Sequence, residues 1–178
     1  RAIDGHHRVK GEILEDSAFA RLMRTTRVNR PFGCFMADGA VICRMYREYD
    51  TFRRGWKRIY IEMLRRRVSR LARASWRIRI IDLLAPAASL AMIATGVWLV
   101  LADNILGWAA IALGALAQGA YWLVLSMIYR AQHVPMKWLP LYPVGAWVTS
   151  KLLSEAARDL RAGTAISWGG MTYKREAR

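Results

Sequence analysis

Two carboxylates in succession, Glu15 and Asp16, precede a run in which Ala18, Phe19, Leu22 and Met23 recur at helical spacing. They therefore fall at the N-terminus of a helix. A carboxylate there accepts otherwise orphaned N–H bonds and complements the helix dipole, so capping alone accounts for such a pair. His6 and His7, near Glu12, offer metal-ligating types. Adjacent histidines on a strand point to opposite faces, however, and no Cys or His stands at a ligand spacing from them. Cys34 and Cys43 are read as buried or free thiols, since two cysteines are too few for a disulfide framework.

The elements that would position these groups read as helix, strand, helix. Arg30-Pro31 marks a turn. Phe35 to Tyr46 has the pattern of one or two short strands broken at Asp38-Gly39, a hairpin signal. A second helix is expected from about Thr51. Residues 1–52 are thus expected to form an α/β fragment, the tail end of a larger α/β domain. The chain starts at Arg1 with no signal-peptide pattern, and is read as the C-terminal piece of something longer.

Charge and hydrophobicity are segregated along the chain. The formal net charge is +15 while 54% of residues are hydrophobic, which excludes a disordered basic tail and an acidic binder. Twenty of the 28 Lys and Arg lie before Ile80. Leu83 to Ala102 is 20 residues without a charge, and Asn104 to Tyr129 is 26. About 20 helical residues cross a hydrocarbon core of roughly 30 Å, so residues 80–129 are expected to hold two transmembrane helices. The basic flanks place both ends in the cytoplasm and the Asp103-Asn104 link outside. Ala110-x-x-x-Gly114 and Ala115-x-x-x-Gly119, with Gln118, form a surface for close helix packing and an amide bond across it. Pro86 is expected in the first turns of its helix, where it is tolerated. Trp138 to Ser150 is apolar but short, with Pro140, Pro143 and Gly145; a re-entrant or interfacial segment is expected within 130–178.

Residues 53–79 carry eleven Lys and Arg against one acid, Glu62. Tyr60, Leu64, Val68, Leu71 and Ala72 recur near helical spacing, so one basic amphipathic interfacial helix is expected, meeting anionic membrane lipid. Basic helices also bind phosphate backbones. No nucleic-acid module is visible and an apolar stretch follows at once, so no nucleic-acid partner is expected.

Several short motifs resemble one family. Glu15-Asp16, a helix with Ala20-Arg21, then Arg44-Met45-Tyr46, then Gly55-Trp56-Lys57 resembles, in order and spacing, the C-terminal half of a family 2 membrane glycosyltransferase. Leu141-Tyr142-Pro143-Val144-Gly145 and Ile166 to Tyr173 resemble the closing segments of bacterial lipid-directed members. The resemblance implies the end of a GT-A-type domain on the cytoplasmic side of the bacterial inner membrane. It implies sugar transfer from a nucleotide-sugar donor to a lipid acceptor, with inversion. Asp16 matches the family's general base, which takes the acceptor's proton; Glu15 would support it. Trp56 would stack on the acceptor, while Arg53, Arg54 and Lys57 would offset charge on the departing diphosphate. His6, after Gly5, matches a pair that often lines the active site. The family often has Gln/Arg-x-x-Arg-Trp where this chain has Phe52-Arg53-Arg54-Gly55-Trp56. A Gly-Trp pair occurs in many non-processive relatives, so the departure argues against a polysaccharide synthase. The divalent cation, Mg or Mn, would be held by an Asp-x-Asp outside this chain. The alternative is a non-catalytic membrane anchor or assembly protein that binds anionic lipid through its basic belt.

Overall fold

A computed structural model describes residues 8–9, 15–25, 46–168 and 171–173. The element order is α1 (Glu15–Thr25), α2 (Tyr49–Met63), α3 (Val68–Ile78), a π-helical segment (Arg79–Leu84), α4 (Ala85–Leu101), α5 (Leu106–Ala131), a 3-10 segment (Met136–Leu141), α6 (Tyr142–Arg161), β1 (Ile166–Trp168) and β2 (Met171–Tyr173). Two compact units emerge. Unit 1 is Arg1–Arg67 with Arg158–Arg178, and unit 2 is Val68–Ala157.

The expected α/β fragment is not what the structure holds. The described residues are helical apart from one antiparallel hairpin, β1 and β2, in which Trp168 pairs with Met171. Strands of three residues cannot form a layer for helices to cover, as an α/β domain requires. Within 1–52, the described parts are α1 and the start of α2. Phe35 to Met45 and both cysteines lie outside the described residues.

The basic belt, expected as one helix, is divided. α2 stops at Met63 and α3 starts at Val68. Arg65 and Arg66 both take left-handed backbone, with φ of 58° and 56°. Arg66 N–H donates to the Ile61 carbonyl at 2.8 Å and Arg65 N–H to that of Glu62 at 3.0 Å. These bonds recover carbonyls that the end of α2 would otherwise leave orphaned. The Arg66 guanidinium also bonds both oxygens of Glu62, at 3.2 and 3.1 Å. The same cap closes α4 at Asp103 (φ 56°) and α5 at His133 (φ 52°). Among the described residues, glycine fills this position only after α6, at Gly163.

In unit 2, α3, the π segment and α4 form one continuous helix, Val68–Leu101, so Pro86 lies deep inside a helix rather than in its first turns. A proline lacks the N–H that would bond the carbonyl four residues back, and its ring clashes with that carbonyl. Here the deprived carbonyl belongs to Asp82. The helix widens to the π form over Arg79–Leu84 and relieves the clash. The Tyr121 hydroxyl donates to the Asp82 carbonyl at 3.1 Å in place of the lost N–H.

Among the described residues, Val68–Leu101 and Leu106–Ala131 are long and apolar enough to cross a membrane. Only 11% of the most apolar stretch of each is buried, whereas the core helix of a soluble protein is mostly buried. Leu101, Leu116 and Trp98 point outward. Such a surface is covered by lipid or by a partner. The two helices pack through Ser89, Gly96, Gly107 and Gly114, all buried. A Cβ at Gly107 would lie 2.5 Å from the Gly96 carbonyl oxygen, and one at Gly114 would lie 2.8 Å from that of Ser89. Ser89 and Gln118 are hydrogen bonded across this contact. With its N–H toward Ser89, the Gln118 amide also accepts from Trp122 Nε1 at 2.9 Å. Of the two expected small-residue pairs, Ala110/Gly114 includes a contact residue; Gly119 approaches nothing.

The stretch Trp138 to Ser150, expected as a re-entrant or interfacial segment, is helical. It passes through the 3-10 segment into α6, which buries Ala146, Ser150, Leu152, Leu153 and Ala156 and exposes Val144 and Trp147. α6 rests on α3 through Ser75, whose hydroxyl donates to the Ser150 carbonyl at 2.7 Å and meets Ser154 at 2.8 Å. Arg79 lies over the rings of Trp76 and Trp147 and bonds Ser154 at 3.2 Å.

Gly114→Leu is expected to destabilise the α4–α5 pair by ~1–3 kcal/mol, the usual cost of overpacking, while Gly119→Leu stays within about 0.5 kcal/mol. Unfolding of the two variants in matched detergent checks this.

Candidate functional site

α1 begins at Glu15, with Asp16 as its second residue, so the acid pair occupies the first helical turn. The reason is local: Ala18, Phe19 and Leu22 form the inward stripe, and Ala18 is buried. His6 lies outside the described residues.

Trp56 belongs to a row of aromatics along α2. Tyr49, Phe52, Trp56 and Tyr60 follow one another with ring centroids 5.3 to 6.2 Å apart. Their spacing of three and four residues puts them on one stripe of the helix. Tyr46 lies edge-on to Phe52 and rests on the backbone at Gly55. A Cβ at Gly55 would fall 2.6 Å from the Tyr46 ring. The Gly-Trp pair is therefore explained by packing: glycine admits Tyr46, and Trp56 joins the row.

The cations divide differently from expectation. Arg54 and Lys57 line a cavity of about 230 Å³ in unit 1, together with Arg58, Ile61, Asp159, Thr164 and Ala165. Arg53 and Trp56 are not on its wall. Lys57 forms an ion pair with Asp159. Arg58 is buried, at 6% exposure, and residue type alone does not set it apart from its neighbours. Helical periodicity is the signal that could have found it: Arg54, Lys57, Arg58 and Ile61 follow the i, i+3, i+4, i+7 pattern of one face. Asp159 is about a hundred residues further on, and no local pattern links it to them. Three cations facing one anion make a net positive cavity, suited to an anionic group.

A second cavity, about 420 Å³, lies in unit 2, lined by Ile78, Asp82, Tyr129, Trp138, Leu141, Tyr142, Gly145, Ala146 and Thr149. Tyr142 donates to Asp82 Oδ1 at 3.0 Å. Tyr121 and Tyr129 meet the Tyr142 ring edge-on at 6.5 and 6.4 Å. Burial pushes the Tyr142 phenol above the ordinary tyrosine range, and the hydrogen bond and negative charge of Asp82 push it further.

Among the described residues, no group of three or more His, Cys, Asp or Glu gathers that could hold a metal ion. The divalent cation implied by the family resemblance finds no ligand set among the described residues. No protein-family model, no curated protein and no solved structure matches this chain.

Gly55→Val is expected to displace Tyr46 from α2 and to destabilise unit 1 by ~1–3 kcal/mol, read by the near-ultraviolet dichroism of the aromatic row and by thermal unfolding. The neutral Tyr142 phenol is the form the fold holds. Its stabilising contribution is complete below the ordinary tyrosine pKa of about 10 and is lost as pH climbs from there through the raised folded value. The phenolate absorbance difference between the wild type and Tyr142→Phe should accordingly remain near zero at about pH 11, where an ordinary tyrosine has already ionised.

Proposed function

We propose that the chain is the C-terminal, membrane-embedded portion of a lipid-directed inverting glycosyltransferase. The observation that carries the reading is the cavity of unit 1, where Arg54, Lys57 and Arg58 share one wall. A nucleotide-sugar donor leaves as a nucleotide carrying phosphate, and a cationic wall is what stabilises that departing charge. The motif order, from Glu15-Asp16 through Gly55-Trp56 to the Ile166–Tyr173 hairpin, agrees with it.

In this reading, Asp16 takes the proton from the acceptor hydroxyl as its oxygen attacks the anomeric carbon. Asp16 belongs to the first turn of α1, the end of a helix that suits an anionic group. Glu15 supports it. Arg54, Lys57 and Arg58 meet the leaving phosphates, with Arg53 beside them on α2. Trp56 acts through the aromatic row. A divalent cation, held by residues other than those described, would supply further positive charge to the donor phosphates. The helices Val68–Leu101 and Leu106–Ala131 cross the bacterial inner membrane, with both basic flanks in the cytoplasm and Asp103-Asn104 outside.

A second reading, a non-catalytic anchor for anionic lipid, is favoured by the exposed side of α3. Arg73, Trp76 and Arg77 stand in the open there, just ahead of exposed Ile80, Ile81 and Leu84. Cations over an apolar rim suit an anionic membrane surface.

One experiment separates the two. In the full-length protein, Asp16→Asn should lower sugar transfer to a lipid acceptor at least about a hundredfold, the low end for a general base. Membrane insertion should be unchanged. Transfer at the wild-type rate removes the base assignment. Absence of transfer from any nucleotide-sugar by the wild type leaves the anchor.

A further inference from the structure

The cavity of unit 2 is not used by the transferase reading, and its chemistry is specific. Asp82 is a half-buried carboxylate in a chain with a formal charge of +15. Among the described residues it has no ion pair, and its hydrogen-bonded oxygen, Oδ1, is met by a neutral phenol. Oδ2 makes no hydrogen bond there. Tyr129, Trp138 and Tyr142 stand on the same wall, among aliphatic side chains of Ile78 and Leu141. A carboxylate beside aromatic faces is the arrangement that takes up an ammonium group, by charge and by cation–π attraction.

Two further features narrow the ligand. Lys137 Nζ sits 5.3 Å from the centre of the Trp138 ring, so a cation stands immediately beside the aromatic wall. The cavity also lies where the uncharged stretch of the first long helix begins and α5 ends. Asp82 precedes the uncharged stretch of the first helix, and Tyr129 is in the last turn of α5. Aromatic side chains at such ends suit the level of lipid head groups. The ammonium of a lipid head group is a cation that the Asp82 carboxylate and these aromatic rings suit. The π segment, which places Asp82 here, is a departure from regular helix of the kind that recurs at functional sites.

The geometry points to a lipid site in this cavity that takes the primary ammonium of a phosphatidylethanolamine head group against Asp82. The site is independent of whether the chain transfers sugar.

Gly145 provides a clean probe. It lines the cavity, and a Cβ built there meets nothing within 4 Å, so a larger side chain fills the space without a clash at its root. Full-length protein is inserted in bilayers of phosphatidylethanolamine, phosphatidylglycerol and diacylglycerol in equal amounts. It is then extracted in mild detergent, and the retained lipids are counted by native mass spectrometry. The wild type is expected to retain phosphatidylethanolamine over the other two. Asp82→Asn and Gly145→Leu should each lower that retention about tenfold, equivalent to ~1.4 kcal/mol, and leave phosphatidylglycerol unchanged. Equal retention of the three lipids by the wild type, preference for diacylglycerol, or unchanged retention in Gly145→Leu overturns the site. Where Asp82→Asn fails to insert, Gly145→Leu decides alone.

Discussion

A carbonyl without its donor organises unit 2. Pro86 takes away the N–H that Asp82's carbonyl would have used, in a helix whose outer surface is apolar and offers no replacement. An unpaired carbonyl there costs more than a local distortion does. The helix therefore opens to the π form, and a hydroxyl from the facing helix, Tyr121, fills the vacancy. Tyr121 in turn packs edge-on against Tyr142, whose own hydroxyl holds the Asp82 side chain. One missing hydrogen bond thus joins three elements, the π segment, α5 and α6, at one residue.

Close approach of α4 and α5 is a second constraint, of shape rather than polarity. Between apolar helices in lipid there is no hydrophobic gain from association, so contact depends on packing and on a few polar bonds. Gly96, Gly107 and Gly114 let the backbones meet, and the Ser89–Gln118 bond fixes the pair at one height. The same logic holds in unit 1 at a smaller scale, where Gly55 lets Tyr46 reach the α2 backbone and complete the aromatic row. There, too, the polar content is concentrated: Arg54, Lys57 and Arg58 share one cavity wall with Asp159.

Much of this was legible from residue types alone. The two apolar helices follow from uncharged runs of 20 and 26 residues. The place of Glu15-Asp16 at a helix start follows from the stripe Ala18, Phe19, Leu22, and the Gln118 amide was expected to bond across the helix contact. Other features were misread for identifiable reasons. The stop at Arg65 carried no glycine, so 53–79 read as one helix; left-handed backbone at a non-glycine costs about 1–2 kcal/mol and is not announced by residue type. Pro86 falls in the first turns only if the helix starts with the uncharged run, and the charged residues before Leu83 do not announce that the helix already runs from Val68. The α/β expectation rested on a pattern of alternation near Phe35, while the described residues are organised by helices.

What the sequence determines by itself is local: which stretches can be helical, which are too apolar for water, and where charge accumulates, since each depends on neighbours within a few residues. What only the tertiary structure decided is which distant groups meet. Tyr121 answers a carbonyl 39 residues away, Tyr142 a carboxylate 60 residues away, and Asp159 a lysine on α2. Those pairings depend on how far each helix is rotated about its axis, and that rotation is set by the contacts between helices rather than by any one of them.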